Sequence, residues 1–399
     1  MRVLTLSTLF PDASRPTFGI FVERQTLGLA AREGVELRVV SPRALPPAPL
    51  DGHPRYNARA ELAEDEDWKG LRVYRPRFMH FPGPAVRYAP GFMVHRLRRY
   101  LLALREEFPF DIIDAEYFWP DGPAAAFLGQ AWDVPVSIKA RGSDIHLWGQ
   151  RRYGRRHIVQ AGEAADGMLA VSEALKRDMV ALGLPEEKIR VHYTGVDLDR
   201  FVIADRAAAK AALRITGPLI VCVGYLIERK GQRLVIDAMT SLPDATLLLV
   251  GDGPARQALQ VQIEQLGLSN RVRLLGPQPH EALPPLFAAA DVSVLPSSSE
   301  GLANVWVESI ACGTPVVIAD VGGARELVDS PAAGRIVERT PEAIADAVRA
   351  IIDAPYGRER TRRSAERFTW ERNSEALHAH LSALIERHQR GRDPAILAP

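Results

Sequence analysis

The chain has 399 residues, 50 of them basic and 49 acidic, for a net charge of +1. With 47% hydrophobic and 25% charged residues it has the composition of a globular protein, and its length suits two or three domains. These figures exclude a disordered chain, a collagen-like fibre and a small disulfide scaffold, and the balanced charge predicts no nucleic-acid partner. Cys222 sits in an apolar run, LIVCVG, and Cys312 in a small-residue turn, ACGTP; both read as small buried fillers in a reducing compartment, with a disulfide as the alternative. The N-terminal MRVLTLSTLF reads as a strand rather than a signal peptide. No run reaches the ~18 apolar residues of a membrane span, so a cytoplasmic protein is expected.

Short apolar runs alternate with helical patterns along the chain. In the first half the strand-like runs are 3–7, 37–41, 71–75, 111–115, 135–140, 167–171 and 189–192, with helical patterns at 20–32, 91–107, 121–131, 155–165 and 172–182. The second half has strand runs at 219–224, 246–251, 272–276, 292–296 and 315–319, and helical patterns at 231–240, 254–266, 281–289, 303–311 and 341–352. This alternation predicts an α/β fold with parallel sheets covered on both faces. One sheet of a dozen strands is implausible, so two doubly wound domains are expected, with the break near TGVDLDRF at 194–201. A fold of this kind binds ligands at the carboxyl ends of its strands, here in the cleft between the domains.

The strongest local signal is EGLANVWVESIACGTPVVIAD, which begins at Glu300. Glu300 ends a Ser-rich loop after a strand, and Gly301 allows close backbone approach. The first-turn N–H groups of Ala303, Asn304 and Val305 form an anion site suited to a diphosphate. Glu308, on the same helix, has the reach to accept hydrogen bonds from a pair of ribose hydroxyls. A second signal is GYLIERKGQ at 224–232, where Arg229 and Lys230 sit between a strand and a helix, placed to stabilise a leaving diphosphate. In an Arg-biased chain with six lysines, none beyond Lys230, a lysine here suits a compact anion contact.

Weaker signals surround these two. LLLVGDGPARQ carries Gly251 and Gly253, with Pro254 expected at the first helical position, and half-matches a dinucleotide fingerprint. RLLGPQP places Gly276 at a strand-end turn that would wall a base. Gly19 precedes a helix in the first strand's loop, where it would allow approach of phosphate or sugar. The loop KARGSDIHLWG offers Arg141, Asp144 and His146 toward the same cleft. Residues 69–105 hold nine Lys/Arg and no acidic residue, interleaved with aromatics, and 95–108 forms a basic amphipathic helix. That segment fits an anionic membrane surface or a lipid-phosphate acceptor, or an Arg-rich helix packed through its Leu face. The preceding acidic run 61–67, with Asp65 and Asp67, reads as a solvated loop. No His/Cys cluster has zinc spacing.

Taken together, Glu300-x7-Glu308 with Asn304, the strand-end RKG, the VGDGP turn, the TGVDLDRF linker and the Gly19 loop resemble the group 1, or family 4, retaining glycosyltransferases. The resemblance covers most of the chain. It implies the GT-B fold: two Rossmann-like doubly wound domains facing a central cleft, with an acceptor-binding domain at 1–195, a nucleotide-sugar-binding domain at 196–370, and a final helix within 371–399 crossing back to the first. It implies sugar transfer from a nucleotide-diphosphate sugar with retained anomeric configuration, no cofactor and no required metal. Glu300 would then contact the donor sugar, Glu308 the ribose, and Gly301, Leu302, Ala303, Asn304 and Val305 the diphosphate or sugar. Gly19, Gly253 and Gly276 would also line the donor site, and Arg229 and Lys230 would hold the leaving phosphates. The FPDASRPTFGIFVERQ stretch is similar to enzymes building bacterial surface polysaccharides on lipid carriers. That implies a saccharide or lipid-linked acceptor, and peripheral membrane contact through 69–105 at the inner face of the plasma membrane.

Two positions depart from the family pattern. Tyr225 stands where many relatives have Arg, and Arg141 where many have His. Arginine cannot act as a base near neutral pH. Arg141 is therefore expected to bind a phosphate or acceptor anion, with the leaving diphosphate taking the acceptor proton. Three alternatives stay open at this point: an NAD-dependent oxidoreductase using Gly251–Gly253, a nucleotide-sugar epimerase, and a non-catalytic nucleotide-sugar binding protein.

Overall fold

A computed structural model describes residues 1–53, 56–81 and 83–391. Contacts divide the chain into two compact units, one of Met1–Tyr193 with the chain from Trp370 onward, the other of Thr194–Thr369. The first contains β1 (Arg2–Leu6), β2 (Glu36–Val40), β3 (Arg43–Leu45), β4 (Asp65–Trp68), β5 (Leu71–Tyr74), β6 (Arg77–Met79), β7 (Ile112–Ala115), β8 (Val136–Ala140), β9 (Gly167–Ala170) and β10 (Ile189–Val191). Eight of these form one sheet in the order β10-β9-β8-β7-β1-β2-β5-β4, while β3 and β6 pair separately. The second unit has β11 (Leu219–Val223), β12 (Thr246–Val250), β13 (Val272–Gly276), β14 (Val292–Leu295), β15 (Val316–Ala319) and β16 (Gly334–Val337), in the order β13-β12-β11-β14-β15-β16.

Strands such as LIVCV (β11) and VSIKA (β8) are buried along their whole length, as expected of parallel strands covered on both faces. Every pairing is parallel except β4 with β5. In each sheet the chain starts in the interior, builds to one edge and returns to build the other. The strand order therefore reverses between β1 and β7 in the first unit and between β11 and β14 in the second. In folds of this kind the loops leaving the two strands at such a reversal diverge, and ligands bind there.

The last helix, Trp370–Arg390, buries Leu377, Leu381 and Leu384 with the helix Ile20–Ala30 against one face of the first sheet, beside Val3, Val39 and Val73. Their i, i+4, i+7 spacing is the stripe a surface helix needs. Helix Ala89–Glu107 covers the other face through Met93, Leu97, Leu101 and Leu104.

The acidic run differs from the solvated loop expected of it. Asp65–Trp68 is an antiparallel edge strand, with Glu66 opposite Val73 and Asp67 opposite Arg72. Arg72 pairs with Asp65, and the buried Arg75 pairs with Glu66 at 2.5 Å. The acidic and basic runs thus neutralise each other across strands, and Lys69 is taken by Glu23 at 2.9 Å. The run 69–105 is accordingly less cationic than its composition suggests. Edge strand β16, GRIV, is half-exposed and too short of apolar residues to announce itself.

Candidate functional site

The reversal in the second unit gathers the strongest sequence signals. The loop after β11 ends in a turn, Glu228–Lys230, followed by Gly231 at φ +76°. A Cβ on Gly231 would lie 2.6 Å from the Pro296 carbonyl oxygen, so this loop rests directly on the one leaving β14. Ser298 N–H donates to the Arg229 carbonyl at 2.8 Å, locking the two loops together. Lys230 Nζ then donates to Glu300 Oε1 at 2.5 Å. Arg229 Nη1 lies 3.5 Å from that same oxygen and donates to the Ser299 carbonyl. Lys230 and Glu300 side chains are 14% and 11% exposed and Arg229 40%, so the pair is largely sheltered with Arg229 open to solvent beside it.

Helix Asn304–Ala311 starts directly beyond this cluster. Ala303 is its extended N-cap residue and supplies no side-chain cap. The N–H groups of a first turn have no intrahelical acceptor, so this end favours an anion. Leu302 and Ala303 are buried and fix the approach of the backbone, while Asn304 and Val305 are half-buried. Glu308 lies in the next turn and its Oε1 accepts from His280 Nε2 at 2.8 Å. His280 follows β13 and its turn, Gly276–Pro279. Sequence reasoning passed over it, although it closes the strand-end segment that begins at Gly276.

Gly253 has φ +156°, and a Cβ there would stand 2.4 Å from the Leu226 carbonyl oxygen; at Gly251 it would stand 2.1 Å from that of Gly224. Leu226 N–H bonds to the Asp252 carbonyl at 2.8 Å. These glycines therefore let the loops after β11 and β12 lie backbone on backbone. The close approach that these glycines allow is thus made to protein backbone. The following helix begins at Arg256 with Ala255 as its cap, which corrects the expected helical start at Pro254. Gly276 accepts the Gly251 N–H at 2.9 Å and belongs to the same packing. Tyr225 is 59% exposed at the reversal.

The first unit treats its reversal differently. Gly19 caps helix Ile20–Ala30 at φ +69°, and a Cβ there would meet the Leu9 carbonyl oxygen at 1.5 Å, so its own loop already demands glycine. Arg141 does not present its guanidinium outward as expected. It is 6% exposed, donates through Nε to the Glu116 carbonyl at 2.9 Å, and pairs with the buried Glu116 carboxylate. Its guanidinium also lies 4.7 Å over the Phe21 ring. Glu116 accepts from Gln25, Gln25 accepts from Lys139, Lys139 donates to His192 Nδ1 at 2.5 Å, and His192 Nε2 donates to the Asn373 carbonyl at 2.8 Å. Burial, with Arg141 and Lys139 nearby, holds His192 well below the usual imidazole value.

Asp144 corrects its expectation too. It is fully buried and accepts from the N–H groups of Phe118, Arg141, Gly142 and Ile145. Its carboxylate organises the turn rather than facing a ligand, and burial raises its pKa. His146 pairs with Asp178 at 2.9 Å. Nearby, Asp121 accepts the Thr8 N–H at 2.8 Å, and burial pushes its carboxyl up to about 7.

A hollow of ≈ 630 Å³ lies in the first unit, walled by Met79, Tyr88, Phe92 and Tyr153 with Arg87, His95 and His157. Trp119 stacks on Trp148 at 5.4 Å and meets Tyr153 and His157 edge-on, linking this hollow to the loop after β7. Another, of ≈ 910 Å³, lies by the helices Gln232–Ala238 and Arg256–Gln265, and its lining includes none of Lys230, Glu300 or Glu308. Among the described residues no group of three or more His, Cys, Asp or Glu is placed to hold a metal ion. Among those residues no helix is long and apolar enough to cross a membrane.

Comparison with known proteins adds five findings. The family models for glycosyl transferases group 1 and glycosyltransferase family 4 match residues 205–368 and 20–200. The chain is 29% identical over 356 residues to the putative teichuronic acid biosynthesis glycosyltransferase TuaC of Bacillus subtilis, covering 87% of this chain and 88% of that one. It is 31% identical over 367 residues to the D-inositol 3-phosphate glycosyltransferase of Mycobacterium bovis, covering 77% and 75%. Among solved structures, sucrose-phosphate synthase from Thermosynechococcus elongatus matches with TM-score 0.79 at 21% identity, over 97% of this chain and all of that one. HepE from Anabaena, in complex with UDP and glucose, matches with TM-score 0.74 at 21% identity, over 95% and 99%.

Proposed function

Since the chain belongs to the group 1, family 4, glycosyltransferases and has their GT-B fold of two Rossmann-like units, we propose that it moves a hexose-type sugar from a UDP- or GDP-sugar, with retention of anomeric configuration, to a saccharide or lipid-linked saccharide acceptor in cell-surface polysaccharide synthesis. The observation that carries the donor site is the Lys230–Glu300 pair, with Arg229 beside it, at the start of the uncapped helix Asn304–Ala311.

The chemistry follows from that pair. A diphosphate arriving at the helix start offers Lys230 and Arg229 a doubly charged partner in place of the Glu300 carboxylate. Glu300, displaced from Lys230, accepts hydrogen bonds from the donor-sugar hydroxyls, and Glu308 takes the ribose. The bond from the anomeric carbon to the phosphate oxygen breaks as the acceptor oxygen bonds to that carbon on the same face, and the acceptor proton passes to the leaving phosphate oxygen. Charge developing on that oxygen meets two cations and a helix N-terminus, which supply electrostatic stabilisation in place. The reaction is proposed to need no divalent cation for this reason.

On the acceptor side, Arg141 and Asp144 are committed to the fold, so the reading shifts to the aromatic hollow with Arg87, His95 and His157. Beside it, helix Ala89–Glu107 turns Arg98 and Arg99 outward while Leu97, Leu101 and Leu104 are buried. An apolar wall with cations suits a lipid-linked phosphate at an anionic surface. The curated relative's teichuronic acid role supports a polysaccharide pathway.

Thermal unfolding with UDP, GDP, ADP and NAD at matched concentrations tests the donor reading. The complex of HepE with UDP makes UDP the first choice. A nucleoside diphosphate at 100 times its dissociation constant adds about 2.7 kcal/mol of stability. One diphosphate is expected to raise Tm in the wild type and much less in Lys230→Ala. A shift with NAD alone, or equal shifts in both proteins, overturns the assignment. Turnover across an acceptor panel, with product analysis lacking acceptor as control, separates transfer from epimerisation.

A further inference from the structure

We infer that His280 is a positioning residue that aims Glu308 at the ribose of the nucleotide, and that the segment 197–201 fixes His280 for this task. The inference rests on the donor-site reading above. His280 Nε2 lies 2.8 Å from Glu308 Oε1, and both side chains are largely sheltered, at 12% and 10% exposure. On its other edge, Arg200 Nη1 approaches His280 Nδ1 at 3.4 Å. A guanidinium only donates, so Nδ1 is the accepting nitrogen and Nε2 carries the hydrogen given to Glu308. The imidazole face is set by Phe201, whose ring meets it edge-on at 5.3 Å. Phe201 is fully buried and packs against Phe287 at 6.3 Å.

Arg200 is itself steered by acidic neighbours, 3.3 Å from Glu281 and 3.8 Å from Asp197. Arg362 donates to the carbonyls of Leu198 at 2.7 Å and of Phe201, pinning the segment. A glutamate on a helix turns broadly about its last side-chain torsion. One donor held on Oε1 removes that freedom and aims the carboxylate while its other lone pairs can accept. A pair of vicinal hydroxyls is the ligand such an aimed carboxylate suits, since both donate and neither carries charge.

The test compares UDP, GDP and ADP with their 2′,3′-dideoxy analogues by calorimetry on the full chain. Wild type is expected to favour the ribose form of whichever diphosphate binds by roughly tenfold or more. His280→Ala is expected to bring that preference to within about threefold, with the dideoxy form bound about as in wild type. His280→Gln, whose amide can donate to Glu308, should recover part of it. Glu308→Ala should abolish the preference, with no further effect of adding His280→Ala. If His280→Ala keeps the wild-type preference while Glu308→Ala abolishes it, His280 is a packing residue and the inference fails alone. If Glu308→Ala keeps the preference, or none of the three diphosphates binds, the ribose assignment fails and takes the inference with it.

Discussion

The two sheets reverse their strand order at β1/β7 and at β11/β14, and the loops at those two places have been put to opposite uses. In the first unit the polar groups near the reversal are spent internally. Glu116, Gln25, Lys139, His192 and Arg141 form a continuous buried chain, and Asp144 closes four backbone N–H groups of the adjoining turns. In the second unit, Lys230 pairs with Glu300 and Arg229 lies beside them, an arrangement proposed above to exchange its carboxylate for an anionic ligand. Equal topology thus yields a buried polar network in one place and, on the proposed reading, a replaceable ion pair in the other. What separates them is solvent access: Arg141 and Glu116 are 6% and 0% exposed, Lys230 and Glu300 14% and 11% with Arg229 at 40%, and fully desolvated charges must keep their partners.

That contrast can be broken by mutation, and the largest effect is expected in the first unit. Glu116→Ala leaves Arg141 and Lys139 buried without their carboxylate and should cost about 3–5 kcal/mol of stability, read as a lower urea midpoint at unchanged slope. A loss of activity with stability intact would show that the network is catalytic rather than structural. Lys230→Ala should do the converse, lowering kcat by about a hundredfold or more, near 3 kcal/mol, with little change in urea midpoint. An unchanged rate would remove Lys230 from the leaving-group contacts.

A smaller effect sharpens the same comparison through pH. Asp121 opens the helix Asp121–Trp132 that follows β7, with its carboxyl raised to about 7 by burial, and its Oδ1 has no hydrogen-bond partner. A carboxyl raised in the folded state contributes stability that is complete below its unfolded value of about 3.9 and is lost as pH rises through 7. Against Asp121→Asn, which keeps the acceptor for Thr8, the wild type should lose up to about 1.4 kcal/mol per pH unit between pH 4 and 7. Parallel stability profiles for the two proteins would refute this. The smallest effect concerns the surface. Replacing Arg98 and Arg99 with Glu should weaken sedimentation with anionic vesicles by about 1 kcal/mol per charge removed and leave neutral vesicles unaffected. Equal loss on both would point away from electrostatic docking.

These contrasts also explain what could be read from the chain alone. Strand–helix alternation leads to two parallel sheets because such strands are buried on both faces and leave continuous apolar runs. The segments at 224–232 and 300–308 stand out because each holds its proposed donor-site groups within one loop or one helix. The buried network is not: Gln25, Glu116, Lys139, His192 and Asn373 come together from distant parts of the chain, and each alone looks like an ordinary polar residue. Arg141 and Asp144 misled for a related reason. Their positions at strand or helix ends suggest a ligand, while their contacts are with neighbouring loops and turns. The β4–β5 pairing escaped notice because it is written in charges rather than alternating apolar residues.

The central claim is that Lys230 exchanges Glu300 for the donor's phosphates. Calorimetric titration of wild type and Lys230→Ala with the preferred nucleoside diphosphate and with the bare nucleoside tests it most directly. A loss of about tenfold or more for the diphosphate, with the nucleoside bound equally by both proteins, is the predicted result. Equal losses for both ligands would mean that Lys230 merely supports the shape of the loop, and would contradict the account.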